Sequence, residues 1–307
     1  MKTAFLFAGQ GSQCEGMGKD LYEKYPAFRR IIDGANLEFD LKKMMFETPI
    51  EELSVTRNTQ PCMAAFGAGV LEILKEEGFA PDYVAGLSLG EYTALYASGV
   101  FDLDTFLPLV AFRGKVMDAA AQGIDCKMSA VMGMEADALK ALCDSVKDSY
   151  VTVSNFNCTG QYVICGEREG VEAVEALCKE QGVKRIVPLK VSGPFHTRYM
   201  KPAADELAGY FENVTFGEMK CPVIFNRTAK PLGEGETIAG QLIEQVQSSI
   251  YMEDTIKYLE AQGVERIIEI GPGKTLCGFV KRTAPSMTGY AITDVESLEA
   301  VLEELRK

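Results

Sequence analysis

The sequence has one histidine, His196, and none of its nine cysteines form a C-x-x-C pair. Zinc sites are built from several histidine and cysteine ligands, so a two-histidine site is excluded and a cysteine-rich site is disfavoured. A dinucleotide-binding pattern that begins at Gly9 and Gly11 lacks its third glycine, because Cys14 stands there. We therefore expect no metal and no cofactor, and any imidazole chemistry must use His196.

Long apolar runs and positive charge are also scarce. No stretch approaches the roughly 20 apolar residues of a membrane-spanning helix, and the glycine-rich continuation of MKTAFLFAGQGSQ indicates a buried strand instead of a signal peptide. Lys and Arg number 31 against 44 Asp and Glu, a net charge of −13 that argues against a nucleic-acid partner. An odd number of cysteines fits reduced thiols. We expect a globular, cytoplasmic protein that acts as a monomer, without membrane attachment.

Short apolar strands alternate with amphipathic helices in the first and last thirds of the chain. The strands are predicted at 3–8, 82–87, 222–226, 266–270 and 289–293. The helices are predicted at 61–77, 90–97, 104–121 and 296–306. This alternation is typical of an α/β domain with a mostly parallel sheet.

The segment 127–190 has a different order of strand, helix, strand, strand, helix and strand. This βαββαβ order is that of a ferredoxin-like unit. We predict a large α/β-hydrolase-like domain, formed by 1–125 and 193–307, with a small ferredoxin-like subdomain inserted at 126–192. Because the chain has no long linker or low-complexity tract, the two parts should pack closely.

A G-x-S-x-G motif, Gly86 to Gly90, follows an apolar strand and opens a helix. In this setting a tight turn exposes the hydroxyl of Ser88, and the helix N-terminus offers unpaired N–H groups to an oxyanion. An ordinary strand-to-helix turn with a capping serine fits the pattern too. A serine nucleophile needs a base, for which His196 is the one histidine. It lies where the inserted segment ends, near the cleft expected between the two parts.

Arg113 interrupts the apolar stripe of the helix predicted at 104–121. A guanidinium that faces inward needs an anion, because an unpaired buried charge is strongly unfavourable. One interpretation is structural: an ion pair with an internal carboxylate, or a buried stem with its charged head in solvent. The other is bidentate capture of a substrate carboxylate, for which arginine has the right planar fork.

Seven motifs spread along the chain add a resemblance to these local signals. They are FAGQGSQ at 7–13, GLSLGEY at 86–92, FRGKVM at 112–117, NFNCTGQYVICG at 155–166, GPFHT at 193–197, MKPA at 200–203 and EIGPGKTLCGFVKR at 269–282. Together they resemble the malonyl-CoA:acyl carrier protein transacylase family, which is similar to polyketide synthase acyltransferase domains. The resemblance implies transfer of a malonyl group from coenzyme A, through an acyl-serine, to the phosphopantetheine thiol of acyl carrier protein in fatty acid biosynthesis.

The resemblance also implies roles for individual residues. Ser88 takes the acyl group, His196 activates it, and Arg113 grips the free carboxylate of malonate. The backbone N–H groups of Gln10 and Leu89 form the oxyanion hole. The main-chain carbonyl of Gln245 orients His196, in place of the acid of a Ser-His-Asp triad. Malonyl-CoA is then a substrate and not a cofactor.

Other positions bear on specificity and partners. Phe195 resembles malonyl-selective sequences, because its ring would crowd a branched methyl group. Leu87 departs from the family, which usually has histidine there, so this chain lacks the polar side chain that the family has beside the serine. The carrier protein of the resembled family is acidic, which makes Lys184, Arg185, Lys281 and Arg282 candidate docking charges.

Four alternatives stay open at this point. A serine hydrolase or thioesterase would use the same turn but deliver the acyl group to water. A trans-acting polyketide loader or the transacylase subunit of a malonate decarboxylase would differ in its acyl acceptor. A noncatalytic acyl-CoA-binding protein would form no acyl-enzyme.

Overall fold

The computed structural model of the chain describes residues 1–189 and 193–307, within which the strands form two five-stranded sheets. The strands are β1 (Lys2–Phe7), β2 (Tyr83–Gly86), β3 (Cys126–Met132), β4 (Val151–Cys158), β5 (Gln161–Glu167), β6 (Arg185–Pro188), β7 (Val223–Ile224), β8 (Ile250–Tyr251), β9 (Val264–Ile270) and β10 (Thr288–Ile292). The helices are α1 (Lys19–Lys24), α2 (Pro26–Asp33), α3 (Leu41–Phe46), α4 (Ile50–Leu53), α5 (Thr56–Glu76), α6 (Leu89–Ala97), α7 (Leu103–Ala121), α8 (Ala136–Ser145), α9 (Arg168–Glu180), α10 (Lys201–Phe211), α11 (Ile238–Gln245), α12 (Met252–Ala261), α13 (Thr275–Thr283) and α14 (Val295–Leu305), with a 3₁₀ turn at Arg198–Met200.

The first sheet has the strand order β10-β9-β1-β2-β7, and each neighbouring pair is parallel. Central strands of such a sheet are covered on both faces, which explains the unbroken apolar run of β1. Its side chains alternate between two cores: Phe5 and Phe7 join one with α5, α6 and α7, whereas Ala4 and Leu6 join the other with α12 and α13. The prediction of an α/β fold with a mostly parallel sheet is confirmed.

The second sheet has the order β6-β3-β5-β4-β8, antiparallel through its first four strands. These four strands and helices α8 and α9 follow the predicted βαββαβ order along the chain. Both helices cover one face, where Val131 and Ile164 are buried. The other face carries Met128, Ala130 and Val163. The fifth strand, β8, comes from the last third of the chain and pairs in parallel with β4, a connection that the sequence pattern did not predict.

Several predicted boundaries are wrong or lie outside the described residues. The helix predicted to begin at Pro61 begins at Thr56, so Pro61 lies inside α5 and removes one intrahelical hydrogen bond instead of opening the helix. The strand predicted at 222–226 has only two residues. Helices α1 to α4 were not predicted, because each has only four to eight residues and helical periodicity is read over a longer window. The predicted domain boundary at 192 falls in the part of the chain that is not described.

Within residues 1–189 and 193–307, no helix combines the length and apolar character that crossing a bilayer requires. No group of three or more His, Cys, Asp or Glu side chains there is placed to hold a metal ion. All nine cysteines of the chain are free thiols.

Candidate active site

The turn between β2 and α6 places Ser88 in a backbone conformation that is rare for a side-chain-bearing residue, with φ 53° and ψ −101°. The flanking glycines are required by space. A Cβ atom on Gly86 would lie 2.0 Å from the carbonyl carbon of Gly90, and one on Gly90 would lie 2.1 Å from the carbonyl oxygen of Phe7. The close packing holds the strained turn and presents the Ser88 hydroxyl at the carboxyl edge of the sheet.

Asn226, just after β7, makes two side-chain hydrogen bonds to the backbone of this turn. Its Oδ1 accepts the Ser88 N–H at 2.6 Å, and its Nδ2 donates to the Gly86 carbonyl at 2.6 Å. The Ser88 N–H is therefore occupied. The N–H of Leu89, the first residue of α6, lies in the helical turn that has no intrahelical acceptors, so it can meet a negative oxygen beside Ser88.

His196, the base proposed from the sequence, lies against the serine hydroxyl. Its Nε2 is 2.8 Å from Ser88 Oγ, and its Nδ1 is 2.8 Å from the main-chain oxygen of Gln245. A carbonyl only accepts hydrogen bonds, so Nδ1 carries the proton and the Nε2 lone pair faces the hydroxyl. His196 is also in the left-handed region, with φ 60°, and is almost fully buried.

Burial lowers the pKa of His196 to about 4, and the nearby positive charge of Arg113 acts in the same direction. The hydrogen bond to Gln245 opposes this shift but is outweighed. The imidazole is thus neutral at physiological pH. A neutral imidazole whose Nε2 faces a hydroxyl is arranged to accept a proton from it.

Arg113, on α7, reaches the same hydroxyl from the other side. Its Nη2 donates to Ser88 Oγ at 3.0 Å and to Gln245 Oε1 at 2.9 Å, and its Nη1 donates to Gln60 Oε1 at 2.7 Å. The side chain is fully buried, and no acidic group among the described residues lies within 4.0 Å of it. The structural interpretation of Arg113, an internal ion pair or a solvent-exposed head, is therefore wrong.

A cavity of about 760 Å³ opens above these groups, between the two sheets. Of the predicted site residues it is lined by Gln10, Ser88, Leu89, Phe195 and His196. Arg113 and Gln245 lie behind this lining and reach it through their contacts with Ser88 and His196. The structure thus gathers all seven predicted site residues, drawn from distant parts of the chain, at one edge of the parallel sheet.

Leu87, where the resembled family has histidine, lies in the cavity wall. It packs against the core that contains Leu276 and Phe279, and both of these residues line the cavity too. The wall beside the serine is therefore apolar. This chain supplies no polar side chain at position 87.

The second sheet also lines the cavity. Met128, Ala130 and Val163 give it apolar surface, while Asn157 and Gln161 give it amide groups. Asn157 Oδ1 is buried and has no hydrogen-bond partner in the described chain. The sequence prediction did not single out either amide, or Gln60 and Asn226. Asn157 and Gln161 stand in the NFNCTGQYVICG motif at 155–166, which was the only local signal for them.

The chain is similar to known proteins over nearly its whole length. A family model described as an acyl transferase domain matches residues 4–302. The chain is 43% identical to the malonyl CoA-acyl carrier protein transacylase of Bacillus subtilis, over 100% of this chain and 98% of that protein.

Two solved structures are similarly close. The crystal structure of MCAT from Streptococcus pneumoniae superposes with a TM-score of 0.92 at 41% identity and covers 99% of this chain and 100% of that one. A chain in the structure of a holo type II PKS acyl-carrier protein in complex with its malonyl-transacylase superposes with a TM-score of 0.95 at 37% identity. The match covers 99% of this chain and 100% of that chain.

Proposed function

This chain belongs to the malonyl CoA-acyl carrier protein transacylases of the acyl transferase family, and we propose that it moves malonyl groups through Ser88 in fatty acid synthesis. One observation carries the proposal. The Ser88 hydroxyl lies 2.8 Å from the imidazole of His196 and 3.0 Å from the guanidinium of Arg113. The nucleophilic oxygen thus contacts both a base and a cationic group that can bind a carboxylate.

The first half-reaction acylates the enzyme. His196 Nε2 takes the Ser88 proton as Oγ attacks the malonyl thioester carbon. The backbone N–H groups of Leu89 and Gln10 donate hydrogen bonds to the negatively charged tetrahedral oxygen. When the intermediate collapses, the C–S bond breaks, and the imidazolium gives its proton to the coenzyme A sulfur.

The second half-reaction repeats these steps with the phosphopantetheine thiol of acyl carrier protein. His196 takes the thiol proton, the sulfur attacks the acyl-serine, and the proton returns to Ser88 Oγ as the ester bond breaks. The main-chain oxygen of Gln245 holds the proton-bearing Nδ1 throughout and stabilises the imidazolium. A carbonyl does this without adding a second negative charge near malonate. The cycle moves only protons and an acyl group, so it requires no cofactor.

The proposal extends to the acyl group. The carboxylate of bound malonate replaces the contact between Arg113 Nη2 and Ser88 Oγ and pairs with the buried guanidinium. Phe195, in the cavity lining, crowds a branched methyl group. Exclusion of one methyl group is worth about 1–3 kcal/mol, so Phe195 gives a preference and not an absolute barrier.

The fold assignment is also part of the proposal. We interpret 1–125 and 193–307 as an α/β-hydrolase-like domain and 126–192 as a ferredoxin-like subdomain. The sheet order β6-β3-β5-β4 supports the second assignment. We further propose a monomer in the cytoplasm, and nine free thiols suit that compartment.

For the carrier protein we propose docking on Lys184, Arg185, Lys281 and Arg282, which are all exposed. Arg282 has the best support, because its Nη1 donates to Gln161 Oε1 at 3.1 Å and Gln161 lines the cavity. A basic group at this rim would meet an acidic partner against the net negative charge of the chain.

The direct test is intact-mass analysis after mixing the protein with malonyl-CoA. We expect a gain of one malonyl group on the peptide that contains Ser88, followed by its transfer to holo acyl carrier protein. Free malonate as the main product would indicate a serine hydrolase instead. Absence of an adduct would indicate a noncatalytic acyl-CoA-binding protein.

Arg113→Ala is expected to lower kcat/KM for malonyl transfer about 100-fold, because a buried charge pair worth several kcal/mol is lost. Acetyl transfer should fall much less, since acetyl has no carboxylate. Parallel kinetics with malonyl-CoA and acetyl-CoA measure the difference. Equal losses for both acyl groups would contradict a carboxylate-binding role. Arg113→Lys keeps the charge but lacks the planar fork, so its kcat/KM for malonyl transfer should lie between the values of the unmodified enzyme and Arg113→Ala.

The pH dependence of acylation follows from the lowered pKa of His196. The base must be unprotonated, and burial holds its pKa at about 4 in the folded enzyme. We therefore expect kcat/KM to stay level from pH 7 to about pH 5 and to fall near pH 4. Malonyl-pantetheine is the suitable substrate, because it lacks the titrating phosphate of coenzyme A. A fall centred near pH 6.5 would mean that the imidazole is solvated.

A further inference from the structure

The guanidinium of Arg113 lies over the ring of Tyr92, 5.0 Å from its centroid, and its hydrogen bonds to described residues go only to uncharged oxygen atoms. These are the side-chain oxygens of Gln60 and Gln245 and the hydroxyl of Ser88, at 2.7–3.0 Å. Along the described chain, no carboxylate comes within ion-pair distance of it. A buried arginine is ordinarily paired with an acid, because its charge is costly to bury alone. The two buried glutamines therefore occupy positions where an acidic side chain would be expected.

The orientation of both glutamine amides is fixed by further contacts. Gln245 Nε2 donates to the main-chain oxygen of Ser88 at 2.8 Å, and Gln60 Nε2 faces the sulfur of Met117 at 3.6 Å. Each amide nitrogen is thus directed away from the guanidinium, and each amide oxygen is directed toward it. The two glutamines position Arg113 as carboxylates would, but they carry no charge.

The acidic residue that influences Arg113 is also neutral. Glu91 is buried beside it, with Oε1 lacking any hydrogen-bond partner in the described chain and Oε2 accepting the Asn226 N–H. Burial raises the pKa of Glu91 to about 8, so at pH 7 it is mainly protonated. It therefore does not neutralise Arg113. The positive charge remains available to a group that enters the cavity.

Donor capacity remains available as well. Arg113 Nε is buried and has no acceptor among the described residues. The carboxyl carbon of a malonyl group on Ser88 Oγ is three bonds from that oxygen, which itself lies 3.0 Å from Arg113 Nη2. An acyl carboxylate can thus reach the guanidinium without displacing either glutamine.

We propose that the side chains of Gln60 and Gln245 form an uncharged cradle that positions Arg113 and leaves its charge unneutralised, which makes the site selective for acyl groups that end in a carboxylate. This inference rests on the proposed function. A glutamate at either position would form a buried ion pair with Arg113. The malonyl carboxylate would then meet a neutral pair, and the cost of removing it from water would not be recovered.

The test compares Gln60→Glu with its neutral control Gln60→Met, each assayed with malonyl-CoA and acetyl-CoA. We expect Gln60→Glu to lower kcat/KM for malonyl transfer about 100-fold and to reduce the malonyl-to-acetyl ratio by at least about tenfold. Gln60→Met should lower malonyl transfer by less than about tenfold, since it loses a hydrogen bond but adds no charge. Equal losses of malonyl transfer in the two variants would overturn the proposal of an uncharged cradle. So would an unchanged malonyl-to-acetyl ratio in Gln60→Glu.

Gln245→Glu gives a second, independent measurement. Its main-chain oxygen, which holds His196, is present in every substitution, so the variant changes only the contacts of the side chain. We expect the same shift in acyl ratio, and labelling by a neutral fluorophosphonate reports whether Ser88 is still activated. If Gln245→Glu is labelled, and Ser88 is therefore still activated, an unchanged malonyl-to-acetyl ratio would refute the inference.

The outcomes separate this inference from the proposed function. If the unmodified enzyme shows no malonyl preference, or if Arg113→Ala leaves the preference intact, the carboxylate-binding function itself is wrong. If Arg113→Ala abolishes the preference but both glutamate variants retain it, only the cradle is wrong.

Discussion

Ser88→Ala is expected to abolish the acyl-enzyme and to lower malonyl transfer by about 10⁴- to 10⁶-fold, as removal of a serine nucleophile does elsewhere. The loss follows from the contacts of one oxygen, which faces His196 at 2.8 Å and Arg113 at 3.0 Å. Without it, the base has no hydroxyl to activate, and the acyl group has no atom to join. Intact-mass analysis with malonyl-CoA and a transfer assay with holo acyl carrier protein measure both effects.

The matched control for this substitution is Ser12→Ala. Ser12 also lines the cavity, but its hydroxyl donates to the carbonyl of Gly9 and not to His196. We expect Ser12→Ala to retain the adduct. Alanine at position 88 is subject to the same left-handed backbone strain as serine, so the variant should fold with comparable stability. A malonyl adduct that persists in Ser88→Ala, or that disappears in Ser12→Ala, would assign the nucleophile to another residue.

Three of the predicted site residues carry a signal in the sequence itself, whereas the other four were predicted only from the family resemblance. Ser88 is recognisable because the turn around it requires glycine on both sides for steric reasons. His196 is recognisable because the chain has no other histidine. Arg113 stands out because a charge interrupts an apolar helix face. In each case the physical requirement lies within a few residues or in the composition, so one sequence is enough to identify it.

The positions that the sequence did not predict depend on contacts between distant segments. Gln60 lies in an apolar helix and resembles an ordinary buried amide until α7 brings Arg113 to it, 53 positions away. Asn226 binds the N–H of Ser88 across 138 positions, through a parallel pairing of strands β2 and β7 that periodicity cannot assign. Strand β8 joins the second sheet by the same kind of long-range pairing. Strand order is set by packing of the whole chain, and local pattern does not encode it.

His196→Asn is expected to lower malonyl transfer about 10⁴-fold with little change in stability. The activity falls because the amide cannot act as a base for Ser88, while the oxyanion donors remain and account for the residual rate. The stability is preserved because asparagine tolerates the left-handed conformation found here, at φ 60°, better than alanine does. Single-turnover acylation measured by quench and mass analysis gives the first quantity, and thermal unfolding gives the second.

The absence of a second histidine makes this variant decisive. No other imidazole can take over the proton transfer in this variant, because the chain contains no other histidine. The group nearest the hydroxyl on its other side is Arg113, whose guanidinium cannot accept a proton. Acylation of His196→Asn at a rate close to that of the unmodified enzyme would therefore mean that Ser88 reacts without a protein base, and the proton-transfer mechanism would have to be abandoned.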